Sequence, residues 1–426
     1  MKSIKFFFGR WVKDIENHKD RNKIIEFSFV VISMLVFIFF LYDLLIAKTR
    51  MFAHDAIWYH GLMHYFYDSM MTGVFPYWTP YEYCGQPIYY SLGIARVFEI
   101  PTVVLISLNK FINASLLTLY HWDFILRILI ISLGVYLCFR QTNRYLMSSF
   151  VVLISFLFSS FSFASMWQCG LLTTFIWTPW AMLFLLRLRK QWDLYNMVGF
   201  SLFTGMSITS YQAGYVLTFL GFFALTFLIM DFAWCKSLLK NKKNILTLCL
   251  GMGIITLISL QALAIFIEKD EVKPVIRLQY LGLKEYNKAD LSRADDGSLD
   301  RVPSRMFDFA GLLVPMFSRY AWDNQTKYPF SEAPLYIGIF PLMLAVIGMA
   351  KSKQKYKINF LVVMIVTFFL MLDGKYAMGL FGNMLFPFLK YARHMQLFQP
   401  FLIFTLIYFT GQGTDVLIAR CAKNDQ

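Results

Sequence analysis

Asp55 is the side chain of this sequence best placed to act as a general base. It follows His54, sits about ten residues past the first long apolar run, and opens a stretch dense in Trp and Tyr. Gly73, Pro76, Trp78, Pro80, Gly85 and Pro87 punctuate that stretch, which implies fixed turns and a shaped loop. A carboxylate held there and partly desolvated can take a proton from an attacking alcohol; the alternative is a plain solvated carboxylate. The aromatics, Trp78 among them, fit either a belt at a membrane interface or a platform that stacks sugar faces. Glu82 lies in the same loop and could assist Asp55 or hold a sugar hydroxyl. His60 and His64 are four apart and so share one helical face, but no Glu completes an HExxH pattern. They read as hydrogen-bonded or interfacial imidazoles, and no metal site is expected. Gln168 (in WQCGLL) and Gln212 (in SYQAGY) stand where apolar runs end, to bind polar substrate groups or to cap helices. Arg393 and His394 precede the last apolar run. Such a cation can snorkel to lipid phosphate, or grip the phosphate of a lipid-borne substrate through its bidentate fork; Arg96, Arg277 and Arg305 are rivals for that role.

The elements that must position these groups are membrane helices. The chain has 426 residues, 58% hydrophobic, 19% aromatic and only 15% charged. A soluble domain of that make-up could not cover its surface with polar groups. A formal charge of +14 would point to nucleic acid in a soluble protein. Here Lys and Arg gather in short connectors between apolar runs, the pattern that orients helices, and no nucleic-acid partner is expected. Six cysteines show no CxxC and no zinc-like spacing; Cys84 and Cys169 could form one disulfide. Residues 1–23 are basic and the run after them is too long for a signal-peptide core, so it reads as an uncleaved anchor.

Ten runs can cross a bilayer: roughly 24–47, 121–140, 145–165, 171–187, 195–210, 213–233, 245–267, 334–350, 357–373 and 395–418. With ten spans, every basic connector falls on one side, so both termini are expected in the cytoplasm. Counting 97–112 as an eleventh would invert the later connectors. Residues 97–120 are therefore expected to be re-entrant or interfacial, broken near Pro101 and Asn109. A first outer loop (48–120), a second (268–333) and a shorter stretch near 373–394 then face outward, within one integral membrane domain (1–426). No P-loop, Rossmann glycine pattern, GxSxG or kinase signature is present, so neither ATP-driven chemistry nor a cofactor is expected.

The order Asp55, Gly73-x-x-Pro76-x-Trp78, Gly85-x-Pro87 resembles the first outer loop of YfhO-like bacterial membrane proteins of the GT-C glycosyltransferase superfamily. Trp177-Thr-Pro179, Tyr211-Gln212-Ala-Gly214-Tyr215, Tyr336-Ile-Gly338, and Pro387 with Arg393 before Gly411-Gln-Gly413 follow in the matching order. Gln212 stands where a His is expected, and 268–333 matches no part of the pattern. The resemblance implies a GT-C-like helical bundle in the bacterial cytoplasmic (inner) membrane. It implies a polyprenyl-phosphate-linked sugar donor, a glycan or lipid acceptor, and inversion at the anomeric carbon. It also implies Asp55 as general base, with Arg393 facing the leaving phosphate. The rival readings are a flippase for lipid-linked sugars, disfavoured by the absence of repeated halves and of charge in most spans, and a non-catalytic envelope-assembly protein.

Overall fold

A computed structural model describes residues 19–47, 55–74, 78–79, 86–87, 100–165, 169–209, 213–260, 335–372 and 398–424. Among them the architecture is all-helical apart from a two-residue antiparallel pair, Trp78–Thr79 with Gln86–Pro87. The longer helices are α1 (Lys19–Phe40), α2 (Asp55–Met71), α3 (Ile100–Ile112), α4 (Leu116–Arg140), α5 (Leu146–Leu157) and α6 (Thr178–Lys190). They continue with α7 (Leu194–Ile208), α8 (Ala213–Met230), α9 (Lys242–Leu260), α10 (Ile339–Lys351), α11 (Lys357–Leu372) and α12 (Gln399–Asn424). Five stretches are long and apolar enough to cross a membrane: Leu116–Arg140, Leu146–Phe163, Leu171–Lys190, Lys242–Leu260 and Gln399–Ala422. The fold is that of a helical membrane protein.

Each of the ten expected runs contains a helix; those of the other five carry shorter apolar stretches, Ile24–Phe40, Gly214–Met230, Ile339–Lys351 and Lys357–Met371 among them. Local chemistry cuts the runs. The 145–165 run breaks at Phe158–Ser159, where Ser159 Oγ donates back to Phe156 O at 2.7 Å and Ser160 N–H leaves the helix for Tyr336 O at 2.7 Å. The 171–187 run breaks at Trp177, two residues before Pro179, whose fixed φ suits the first turn of α6.

The 97–120 expectation needs correcting in detail. Pro101 is the second residue of α3, and α3 continues unbroken through Asn109 to Ile112. The break comes at Asn113, whose φ of 54° is left-handed, a conformation Asn tolerates better than most residues. Asn109 makes that reversal: its Oδ1 accepts from Ala114 N at 2.8 Å and its Nδ2 donates to Ala114 O at 3.2 Å. Ser115 then caps α4, accepting from Thr118 N at 3.3 Å. At 13 residues α3 is about 20 Å long and cannot cross the hydrocarbon, so α3 and α4 form a hairpin with one short arm. Asn109→Ala is expected to cost about 1–2 kcal/mol and to unfasten that arm, read as faster backbone hydrogen exchange over 109–118.

The helices alternate between two ends. At one, Arg140 meets Glu26 at 3.3 Å, Lys190 Nζ donates to Gln141 O at 2.7 Å, and Arg189 holds Asp231 at 2.7 Å. Gln354 Nε2 donates to Thr142 O, and Gln412 Nε2 to Asn143 Oδ1 at 3.1 Å. The basic connectors near 140–144, 187–190, 231–243 and 351–357 are thus linked at one end, with α12 reaching them. At the other end Phe40 lies 5.6 Å from Phe158, His60 lies 5.1 Å from Tyr120, and Gln399 donates to Ser160 Oγ at 3.3 Å.

Rings fill the centre. Phe360 stacks on Tyr408 at 3.8 Å, Phe139 lies 4.6 Å from Phe404, and Phe219 lies 4.7 Å from Phe401. The most extensive helix pair is α10 against α12. They touch backbone to backbone: a Cβ on Gly348 would strike Phe409 O, and one on Gly413 would strike Leu344 O. In lipid, where apolar burial gives no net drive, such close approach is what dispersion forces need.

Candidate functional site

The candidate site lies at the end away from the basic connectors, where α2 and α3 pack on the first turns of α4. Asp55 opens α2, the helix its own sequence favours: an acidic residue at the start, then Met63, Phe66, Tyr67 and Met70 at helical spacing toward the core. The expectation of a loop here is corrected for 55–71. Gly73, with φ of 80°, ends the helix: Gly73 N–H donates to Met70 O at 3.2 Å and Val74 N–H to Ser69 O at 2.9 Å. That double bond pattern requires a left-handed residue, which glycine adopts without a Cβ penalty.

His60 and His64 share one face, as their spacing requires, with ring centroids 6.1 Å apart. His60 also meets the Tyr120 ring edge-on at 5.1 Å. His121 is buried at the start of α4, and its Nδ1 lies 2.8 Å from Leu117 O. A carbonyl only accepts, so Nδ1 carries the proton. Burial, and then the neighbouring His64 and His121, push the His60 pKa below its ordinary value. The sign follows: His60 must take up a charge on acidification that the unfolded chain accepts more readily. The packing of α2 is therefore undisturbed above the ordinary imidazole range, about pH 6.5, and loses stability as pH falls below it. Protease cleavage within α2 should rise between about pH 7.5 and 5.5 in the wild type and much less in His60→Phe.

Behind the histidines lies a buried ionic cluster. Asp123 and Arg127 stand at i and i+4 on α4, with side-chain exposures of 5% and 1%. Arg127 Nε donates to Asp123 Oδ2 at 2.8 Å and Nη2 to Asp123 Oδ1 at 3.2 Å and to Thr102 Oγ1 at 2.8 Å; Thr102 Oγ1 donates to Asp123 Oδ1 at 3.1 Å. Thr102 belongs to α3, so the cluster fastens the short arm to α4. A buried pair of this kind is retained when geometry and further hydrogen bonds offset its desolvation.

Of the residues expected to do chemistry, Asp55 is the first residue of α2 and Trp78 lies in the small β pair, opposite Pro87. His54, Glu82, Gln168, Gln212, Arg393 and His394 lie outside the described residues, as do Arg96, Arg277, Arg305 and Cys84. The described residues that flank these segments, such as Phe398 against Tyr215 at 5.0 Å, belong to the same end as α2. Among the described residues no group of three His, Cys, Asp or Glu could hold a metal ion. Sequence reasoning missed this ionic cluster; the i, i+4 spacing of Asp123 and Arg127 was the available signal. The chain matches no protein-family model and no curated protein sequence.

Proposed function

We propose that the chain is a polytopic glycosyltransferase that moves one sugar from a polyprenyl-phosphate-linked donor to a cell-envelope glycan or lipid acceptor, with Asp55 as general base. The observation that carries this reading is the position of Asp55 at the first residue of α2, at the end opposite the basic connectors. Taken with the positive-inside rule, that position supports a cytoplasmic basic end, an outer-face Asp55 in a bacterial inner membrane and both termini inside. A helix N-terminus favours negative charge, which keeps the carboxylate in the ionised form that a general base requires. It takes the acceptor's hydroxyl proton as that oxygen attacks the anomeric carbon. The carbon–oxygen bond to phosphate breaks, and polyprenyl phosphate departs with the electron pair. We assign Arg393 and His394 to the departing phosphate, Trp78 to a sugar face, and His54, Glu82, Gln168 and Gln212 to hydroxyls. A monophosphate leaving group lessens the need for a divalent ion, and the scheme uses none.

The buried Asp123–Arg127 pair favours a second reading, since charge inside membrane helices often marks a transport path. Asp123 and Arg127 bond each other and Thr102 of α3, which fits a fastening role better.

The test is complementation of a strain lacking the protein, with envelope glycans read by mass spectrometry. Asp55→Asn should lose a single hexose increment at unchanged membrane level; full retention would remove Asp55 as the base. A flippase would instead move the lipid-linked sugar between leaflets without forming a bond. Sidedness is tested first: Asp55→Cys should react with an impermeant thiol reagent from outside, and Lys353→Cys only after the cells are opened.

A further inference from the structure

We infer that the turn between α8 and α9 is a binding site for anionic phospholipid headgroups. At the basic end, the carboxylates with described side chains are already engaged inside the fold. Glu26 accepts from Tyr136 and Arg140, and Asp231 from Arg189. Asp193 caps α7 by accepting from Asn196 N at 2.7 Å. Asp415 accepts from Arg144 N at 2.8 Å, Tyr145 N at 3.1 Å and Ser148 Oγ at 2.6 Å. Lys236, Lys240, Lys242 and Lys243 are exposed, fall within eight residues that contain no acid, and form no salt bridge among the described residues. Among the described residues their positive charge therefore has no counter-ion.

The segment that carries them is anchored. After α8, Asp231 turns the chain into a short helix, Phe232–Leu239. Arg189 grips Asp231 through two bonds of 2.9 and 2.7 Å and lies 4.6 Å over the Trp234 ring, while Trp192 meets Trp234 at 5.8 Å. Arg189 also holds the Asp231 carboxyl below the usual range, so the clamp persists at any physiological pH. At the same end of the fold, Ile229, Phe232 and Tyr195 are exposed at 68%, 62% and 70%. An exposed apolar and aromatic wall at the same end as four exposed ammonium groups matches a phospholipid, with acyl chains against the wall and the phosphate among the lysines. A free anion would use the lysines but not the wall; a nucleic acid would not use exposed isoleucine and phenylalanine.

The experiment is native mass spectrometry of the full chain, extracted from vesicles of phosphatidylcholine containing a minority of phosphatidylglycerol. Wild type should retain phosphatidylglycerol above its bulk share. The quadruple variant K236Q/K240Q/K242Q/K243Q should lower that retention by about tenfold, and the quadruple Lys→Arg variant should keep it. Phe232→Ser should weaken retention with all four lysines present. The control K351Q/K353Q removes charge elsewhere at the same end and should leave retention unchanged. Equal loss in the control would overturn a local site in favour of diffuse net charge. Retention by the quadruple Gln variant would overturn the proposal outright, as would displacement of the lipid by inorganic phosphate at low concentration.

Discussion

An alanine at Gly348 or Gly413 will part α10 from α12 and leave little folded protein in the membrane. The added methyl meets backbone oxygen, of Phe409 in one case and Leu344 in the other, and backbone cannot swing aside as a flexible side chain can. Overpacking usually costs about 1–3 kcal/mol, and a backbone collision in the most extensive helix pair belongs above that range. The loss should appear as aggregation on extraction and a large fall in thermal midpoint. Gly253 on α9 is the control, because a Cβ there meets nothing within 4 Å. Gly253→Ala should be neutral, or should stabilise by about 1 kcal/mol through helix propensity. If both substitutions behaved alike, the close helix contact would not be what holds α10 to α12.

Arg127→Met, with Asp123 left in place, will destabilise by about 3–5 kcal/mol, because the carboxylate stays buried without the guanidinium that offsets its desolvation. The double change Arg127→Met with Asp123→Leu should recover most of that loss, since neither charge then needs desolvation to be offset. A thermal melt of wild type, both singles and the double closes the cycle. Strong recovery assigns the cluster to fastening α3 on α4. A double variant as poor as the single would mean that the charges themselves are needed, and would strengthen the transport reading.

The sequence made the helices legible because runs of apolar residues between basic connectors leave few other solutions in lipid. The 357–373 run became α11 at Lys357–Leu372 almost unchanged. Boundaries set by side chains were less visible. Ser115 and Asn109 place the α3–α4 reversal through hydrogen bonds that no hydropathy count records. The α2 helix was hidden for a different reason: Gly and Pro punctuation farther along drew 48–97 into a loop, while Met63, Phe66, Tyr67 and Met70 already held helical spacing. Gly73 was read as a turn and is the cap that ends that helix. As for the site, Asp55 could be singled out by its place in the chain, and His60 with His64 by their spacing. Asp123 with Arg127 needed Thr102, more than twenty residues away in sequence, before its meaning could be read.

The three bonds that Asp415 makes to the start of α5 bear on how the chain matures. Tyr145 offers α5 no side-chain cap of its own, and the amides of Arg144 and Tyr145 that lead into it bond a carboxylate 270 residues beyond Tyr145. Helices emerge from the ribosome in order, and α5 reaches the bilayer long before α12 exists. Until then its leading amides have only water or a temporary partner. Completion of the bundle is consequently a late event, and the last helix to be synthesised closes a joint opened by one of the first.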